Sequence, residues 1–181
     1  MTQIIILTGS ARPNSAGKPI ATLALKEVEK HEGFTATIVN PSDLNLPFFN
    51  ALTSPSAEGF EASNQAVRSW TEIVTNADGF VFVMPEYNHN LSAIQKNAID
   101  WVYAGWKEKP IAQIYYNWYE KSNAQIGAEM TFGVIKARAL PTVTKLQFNK
   151  DIDSEGKIVH EVNVQAKLTA TVNELVTSLN T

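Results

Sequence analysis

The sequence predicts an α/β fold, a doubly wound five-stranded parallel sheet with helices on both faces, on three observations. Short apolar runs alternate five times with stretches whose apolar residues recur at helical spacing. The runs at Ile4–Leu7, Phe80–Met84 and Ile111–Tyr116 are nearly unbroken, as expected of central strands covered on both faces. Those at Phe34–Ile38 and Leu140–Phe148 alternate with polar neighbours, as edge strands can. That division gives the strand order 2-1-3-4-5. With 181 residues, the chain 1–181 reads as one domain, because separate cores arise only beyond roughly 250 residues.

Each element has its own signal. After the first strand, Ile20, Leu23, Ala24 and Val28 mark a helix, and Pro19 suits its first turn, where a missing N–H costs nothing. The second strand leads into a long connection, Asn40 to Gly59, in which Phe48 and Phe49 imply packing against something else. Phe60, Val67, Trp70, Ile73 and Val74 then form a helical stripe. The third strand is followed by Leu91, Ile94, Ala98, Trp101 and Val102, a helix starting near Leu91 or Ser92. A fourth helix is expected between Ser122 and Ala139. The last carries Leu168, Val172, Leu175, Val176 and Leu179.

Composition excludes several chemistries. The chain has no cysteine, so disulfides, thiolate metal sites, iron–sulfur clusters and cysteine nucleophiles are ruled out. A net charge of −3 argues against nucleic-acid and anionic-membrane surfaces. No apolar run approaches the ~20 residues of a membrane span, and the expected location is cytoplasmic. His31, His89 and His160 fall in separate segments, without metal-ligand spacing. The run Asp151 to Lys157 has acidic spacing faintly like a calcium loop but lacks its pattern, and reads as a solvated turn.

In such sheets a ligand sits beyond the carboxyl ends of the strands where the order reverses, here between the first and third. The first of these strands runs into Thr8-Gly9-Ser10-Ala11-Arg12-Pro13-Asn14-Ser15-Ala16-Gly17-Lys18. Hydroxyls, a guanidinium and the N–H groups of a helix start are equipment for a phosphate. The P-loop pattern G-x-x-x-x-G-K-[ST] fails, since seven residues separate Gly9 from Gly17 and Pro19 follows Lys18; G-x-G-x-x-G is absent too. The third strand runs into Pro85-Glu86-Tyr87-Asn88-His89-Asn90, a rigid edge whose free N–H and C=O groups suit a planar heterocycle, with Tyr87 packing on it. Glu86 has no visible partner that would make it a general base.

Together these loops resemble the NADPH-dependent FMN reductase family of flavodoxin-like proteins. Gly9, Ser10, Arg12 and Ser15 match its G-S-x-R-x-x-S motif, and Pro85 to Asn88 its P-E-Y-N motif. Lys96-Asn97-Ala98-Ile99-Asp100-Trp101 matches the helix that follows, with weaker echoes at Asn45 to Phe49 and at Lys109-Pro110. The resemblance implies that Ser10, Arg12 and Ser15, with backbone from Asn14 through Ala16 and Gly17 to Lys18, hold the FMN phosphate. It implies that Pro85, Glu86, Tyr87 and Asn88 line the isoalloxazine, with Tyr116 and Asn117 near it at the end of the fourth strand. It also implies hydride transfer from NADPH or NADH through FMN to a small-molecule acceptor such as free flavin or a quinone, and a homodimer or higher homo-oligomer. No catalytic acid or base is nominated, since flavin carries the chemistry. One stretch departs from the family: Tyr115 to Asn123 lacks the usual glycines, and seven of the nine Trp and Tyr residues fall between Trp101 and Tyr119. A reshaped acceptor pocket or interface and plain core packing both account for it. The alternative function is a flavodoxin-like FMN-binding protein, for sensing or interaction, without reductase turnover.

Overall fold

The computed structural model describes all residues except Ser63, Glu120 and Thr181. Five strands, β1 (Thr2–Thr8), β2 (Phe34–Val39), β3 (Gly79–Pro85), β4 (Pro110–Asn117) and β5 (Arg138–Gln147), form one parallel sheet in the order β2-β1-β3-β4-β5. The expected order is therefore the observed one. Because side chains alternate across a strand, Ile4, Ile6, Val81, Val83, Ala112 and Ile114 point to one face, and Ile5, Leu7, Phe80, Phe82, Met84 and Tyr115 to the other. The first face is covered by α1 (Gly17–Val28) and α5 (Glu161–Leu179). The second packs on α2 (Gln65–Asn76), α3 (Ala93–Asp100) and α4 (Ala124–Val134).

Caps explain where helices start later than apolar spacing suggests. Phe60 belongs to the expected stripe but precedes α2, which begins only after Asn64, whose side chain accepts the N–H groups of Ala66 (2.8 Å) and Val67 (3.3 Å). Ser92 likewise caps α3 by accepting the Gln95 N–H at 3.3 Å. Pro141 sits within β5, an edge strand, where its missing donor breaks no second ladder; a register shift lies opposite, between Ile111 and Gln113.

The long connection does pack, through half of its aromatic pair. Asn97 donates to the Pro47 carbonyl (2.9 Å) and accepts the Phe49 N–H (2.9 Å), while the Trp101 indole donates to the same carbonyl (2.8 Å). Phe49 meets Trp101 edge-on at 4.9 Å. Phe48 stays 79% exposed. The Asn97 and Trp101 motif thus acts on the Leu46–Phe49 segment, so two separate stretches of sequence are one structural unit.

Candidate functional site

The β1–α1 bend leaves the sheet beside the end of β3. Gly9 is required there by space: a Cβ would stand 2.5 Å from Pro85 Cδ and 2.7 Å from Gln95 Oε1. The strand-order reversal therefore brings the bend and the Pro85 loop into contact, as the topology demands. Ser10 Oγ accepts the Arg12 N–H (3.2 Å) and Ser15 Oγ the Gly17 N–H (3.1 Å), so both hydroxyls sit inside the bend. Two tyrosines reach them, one from the turn after β3 and one from the end of β4. Tyr87 Oη lies 2.6 Å from Ser10 Oγ, and Tyr116 Oη lies 3.0 Å from Ser15 Oγ. Burial pushes the Tyr116 phenol up to about 12, so it stays protonated and able to donate at neutral pH.

A narrow cavity of about 160 Å³ runs between these loops. Of the nominated residues, Ser10, Arg12, Asn14, Ser15, Ala16, Pro85, Glu86, Tyr87, Tyr116 and Asn117 line it. The other three do not. Gly17 lies buried in the first turn of α1, Lys18 faces an adjoining cavity of about 470 Å³ that shares Ser10, Arg12 and Ser15 with the narrow one and adds Asn40 and Asp43, and Asn88 is exposed on a turn. That turn is tight: Tyr87 and Asn90 exchange both backbone hydrogen bonds (3.0 and 3.1 Å), with Asn88 and His89 left-handed at φ 50° and 64°.

The free backbone edge expected after β3 is only partly there. The Glu86 N–H is taken by the Tyr116 carbonyl (3.2 Å), continuing the β3–β4 ladder, and the Tyr87 N–H by Asn90. Glu86 also has the partners that its sequence neighbourhood hides. Its Oε2 accepts from Asn117 Nδ2 (2.9 Å), Ser122 Oγ (2.8 Å) and the Asn123 N–H (3.0 Å), and its Oε1 lies 2.9 Å from His89 Nδ1. Burial would raise this carboxyl, but the donors from Asn117, Ser122 and His89 outweigh it and hold the pKa below the usual carboxylate range. An ionised, fully bonded carboxylate is a tie between β3 and the β4–α4 loop and a poor proton acceptor.

The aromatic cluster divides by position. Trp101 and Trp106 are core, as is Tyr115, whose hydroxyl donates to Gln113 Oε1 at 2.6 Å. Trp118 stacks on Phe148 (4.4 Å, 18° between planes), and both line the narrow cavity. Neither was nominated from sequence, and nor were Ser154 and Gly156, which close the cavity from the β5–α5 turn. Phe148 was legible only as an apolar strand end. Beyond Arg12 and Tyr87 lies a second, apolar cavity of about 680 Å³, with Leu46, Phe48, Ala93, Ile94 and Asn97 in its walls.

Serine hydroxyls, a guanidinium and a helix start at one end, with aromatic walls at the other, fit a phosphorylated planar cofactor such as FMN. Solved structures similar in fold include an NADH:FMN oxidoreductase (TM-score 0.74, 16% identity, covering 98% of this chain and 90% of that one). Another is the NAD(P)H:acceptor oxidoreductase FerB of Paracoccus denitrificans (TM-score 0.68, 19% identity, 98% of each chain). In sequence, the chain is 27% identical to an NAD(P)H-dependent FMN reductase of Schizosaccharomyces pombe over 156 residues, 86% of this chain and 78% of that protein. It is 34% identical to a quinone reductase of Escherichia coli K12 over 100 residues, 55% of this chain and 50% of that protein. The family model described as NADPH-dependent FMN reductase matches residues 2–150, so the chain belongs to that family.

Proposed function

We propose that this chain, acting as a single FMN-binding domain, is an FMN-dependent NAD(P)H oxidoreductase that reduces a small acceptor, free flavin or a quinone. The observation that carries the reading is the convergence of Ser10, Arg12, Ser15, Tyr87 and Tyr116 on one cavity at the strand-order reversal. Ser10, Ser15 and Arg12 hold the phosphate, supported by backbone from Asn14 to Lys18, each charge-assisted bond contributing about 1.5–3 kcal/mol. Tyr87 and Tyr116 trade their serine partners for the cofactor. Pro85 and Tyr87 support the ring, with Asn88 at the turn beside it. Glu86 and Asn117, bonded to each other, fix the wall. When bound, FMN would supply the hydride chemistry that links nicotinamide oxidation to reduction of the acceptor. The apolar cavity across Tyr87 gives a planar acceptor room, in the size range of ordinary ligand sites.

Reduction rather than mere flavin binding is favoured by that open apolar space, which Trp118 does not fill: Trp118 stacks away onto Phe148. We also infer a cytoplasmic homodimer. Exposed Ile126, Met130 and Val134, one turn apart along α4, supply an apolar stripe for self-association, and among the described residues no helix is long and apolar enough to cross a membrane. NADPH oxidation by the FMN-loaded protein is expected to depend on added menadione. Bound FMN without menadione-dependent turnover would favour the binding-protein alternative.

A further inference from the structure

The β5–α5 turn, residues 151–158, lies beyond the stretch matched by the family model. Its acidic spacing suggests a solvated loop, yet the turn is firmly built. Asp151 is 5% exposed; its carboxylate accepts the Gln147 N–H (3.0 Å) and pairs with Lys167. Ile152 is fully buried in the same apolar cluster as Ile20 and Leu146. Asp153 Oδ1 accepts the N–H groups of Glu155 (2.9 Å) and Lys157 (2.8 Å), and the Gly156 N–H donates to the Asp153 carbonyl (3.1 Å).

The turn so built packs on the β1–α1 bend. Gly156, at φ +85°, lies so close that a Cβ would stand 2.7 Å from the Asn14 carbonyl oxygen and 3.1 Å from the Ala16 nitrogen. Ser154 is thereby delivered to the wall of the cavity that Ser10, Arg12 and Ser15 line. The acidic groups of the turn are occupied: Asp153 holds backbone N–H groups, and Glu155 pairs with Lys157 at 2.6 Å. What the turn offers an anion is a hydroxyl donor.

We propose that Ser154 is a further ligand of the FMN phosphate, supplied from across the bend by the β5–α5 turn. The proposal rests on the flavin reading above. Its test compares wild type, Ser154→Ala and Ser154→Asp in fluorescence titrations with FMN and, separately, with riboflavin, which lacks the phosphate. Loss of one charge-assisted hydrogen bond is expected to weaken FMN about tenfold in Ser154→Ala, and a carboxylate in its place to weaken FMN still further. Riboflavin affinity is expected to match wild type in both variants, as is the melting temperature, because the side chain is exposed. Unchanged FMN affinity in Ser154→Ala overturns the assignment, whatever Ser154→Asp does. So does an equal loss for FMN and riboflavin. A wild-type protein that binds riboflavin and FMN equally, or neither, overturns the assignment together with the phosphate reading it rests on.

Discussion

Replacing Glu86 by Gln tests whether this carboxylate is a structural tie. Its Oε2 takes three donors, from Asn117, Ser122 and Asn123, and the side chain is 4% exposed. An amide oxygen placed there keeps all three bonds but loses the charge, and charge-assisted bonds are about twice as strong as neutral ones. Allowing for non-additivity within one cluster, the loss comes to about 2 kcal/mol, or about 4–8 °C in Tm for a chain this size. The gap depends on pH. Because the folded-state pKa lies below the reference value of 4.5, the carboxylate stabilises the fold above that value, and this contribution is lost as pH falls through the folded pKa. Melting curves of both proteins, from neutral pH downward, are expected to converge as the medium acidifies below that range. A variant that melts with wild type at neutral pH, or a gap that is constant with pH, would refute the reasoning.

Other substitutions separate binding from folding. Arg12→Ala is expected to weaken FMN by about tenfold or more. Its melting temperature is expected to stay put, since Arg12 is exposed; calorimetric titration and a melt check both halves. Gly9→Ala forces a methyl against Pro85 and Gln95 and is expected to cost about 1–3 kcal/mol, read by urea unfolding. Asn97→Ala removes two of the ties between α3 and the long connection, leaving Trp101 against Pro47 and Phe49, and hydrogen exchange across residues 45–60 is expected to accelerate while the sheet stays protected.

Much of this architecture is legible in the residues because burial writes itself into hydrophobic pattern. The unbroken runs of β1 and β3 can only be central, and the alternation of β2 and β5 marks edges; the strand order follows. The switch point then fixes where a site must be, and ten nominated residues do share a cavity there. Contacts between distant segments leave no such trace. Nothing local to Glu86 shows that Ser122 and Asn123 will fold back onto it, and nothing in Asp151 to Lys157 shows that the turn leans on Asn14. Asn88 and Lys18 neighbour lining residues in sequence, but a left-handed turn takes Asn88 out of the narrow cavity and α1 turns Lys18 to the adjoining one across Ser10, Arg12 and Ser15. The clustered Tyr and Trp residues were ambiguous for a related reason: composition does not say which side of β4 each ring occupies, and Tyr115 and Tyr116 go to opposite faces.

The most direct measurement is a crystal structure of the protein grown with FMN. Phosphate density against Ser10, Arg12 and Ser15, with the ring reaching the Pro85–Tyr87 edge, is the expected result. Flavin seated elsewhere, with the serines still bonded to Tyr87 and Tyr116, would contradict it.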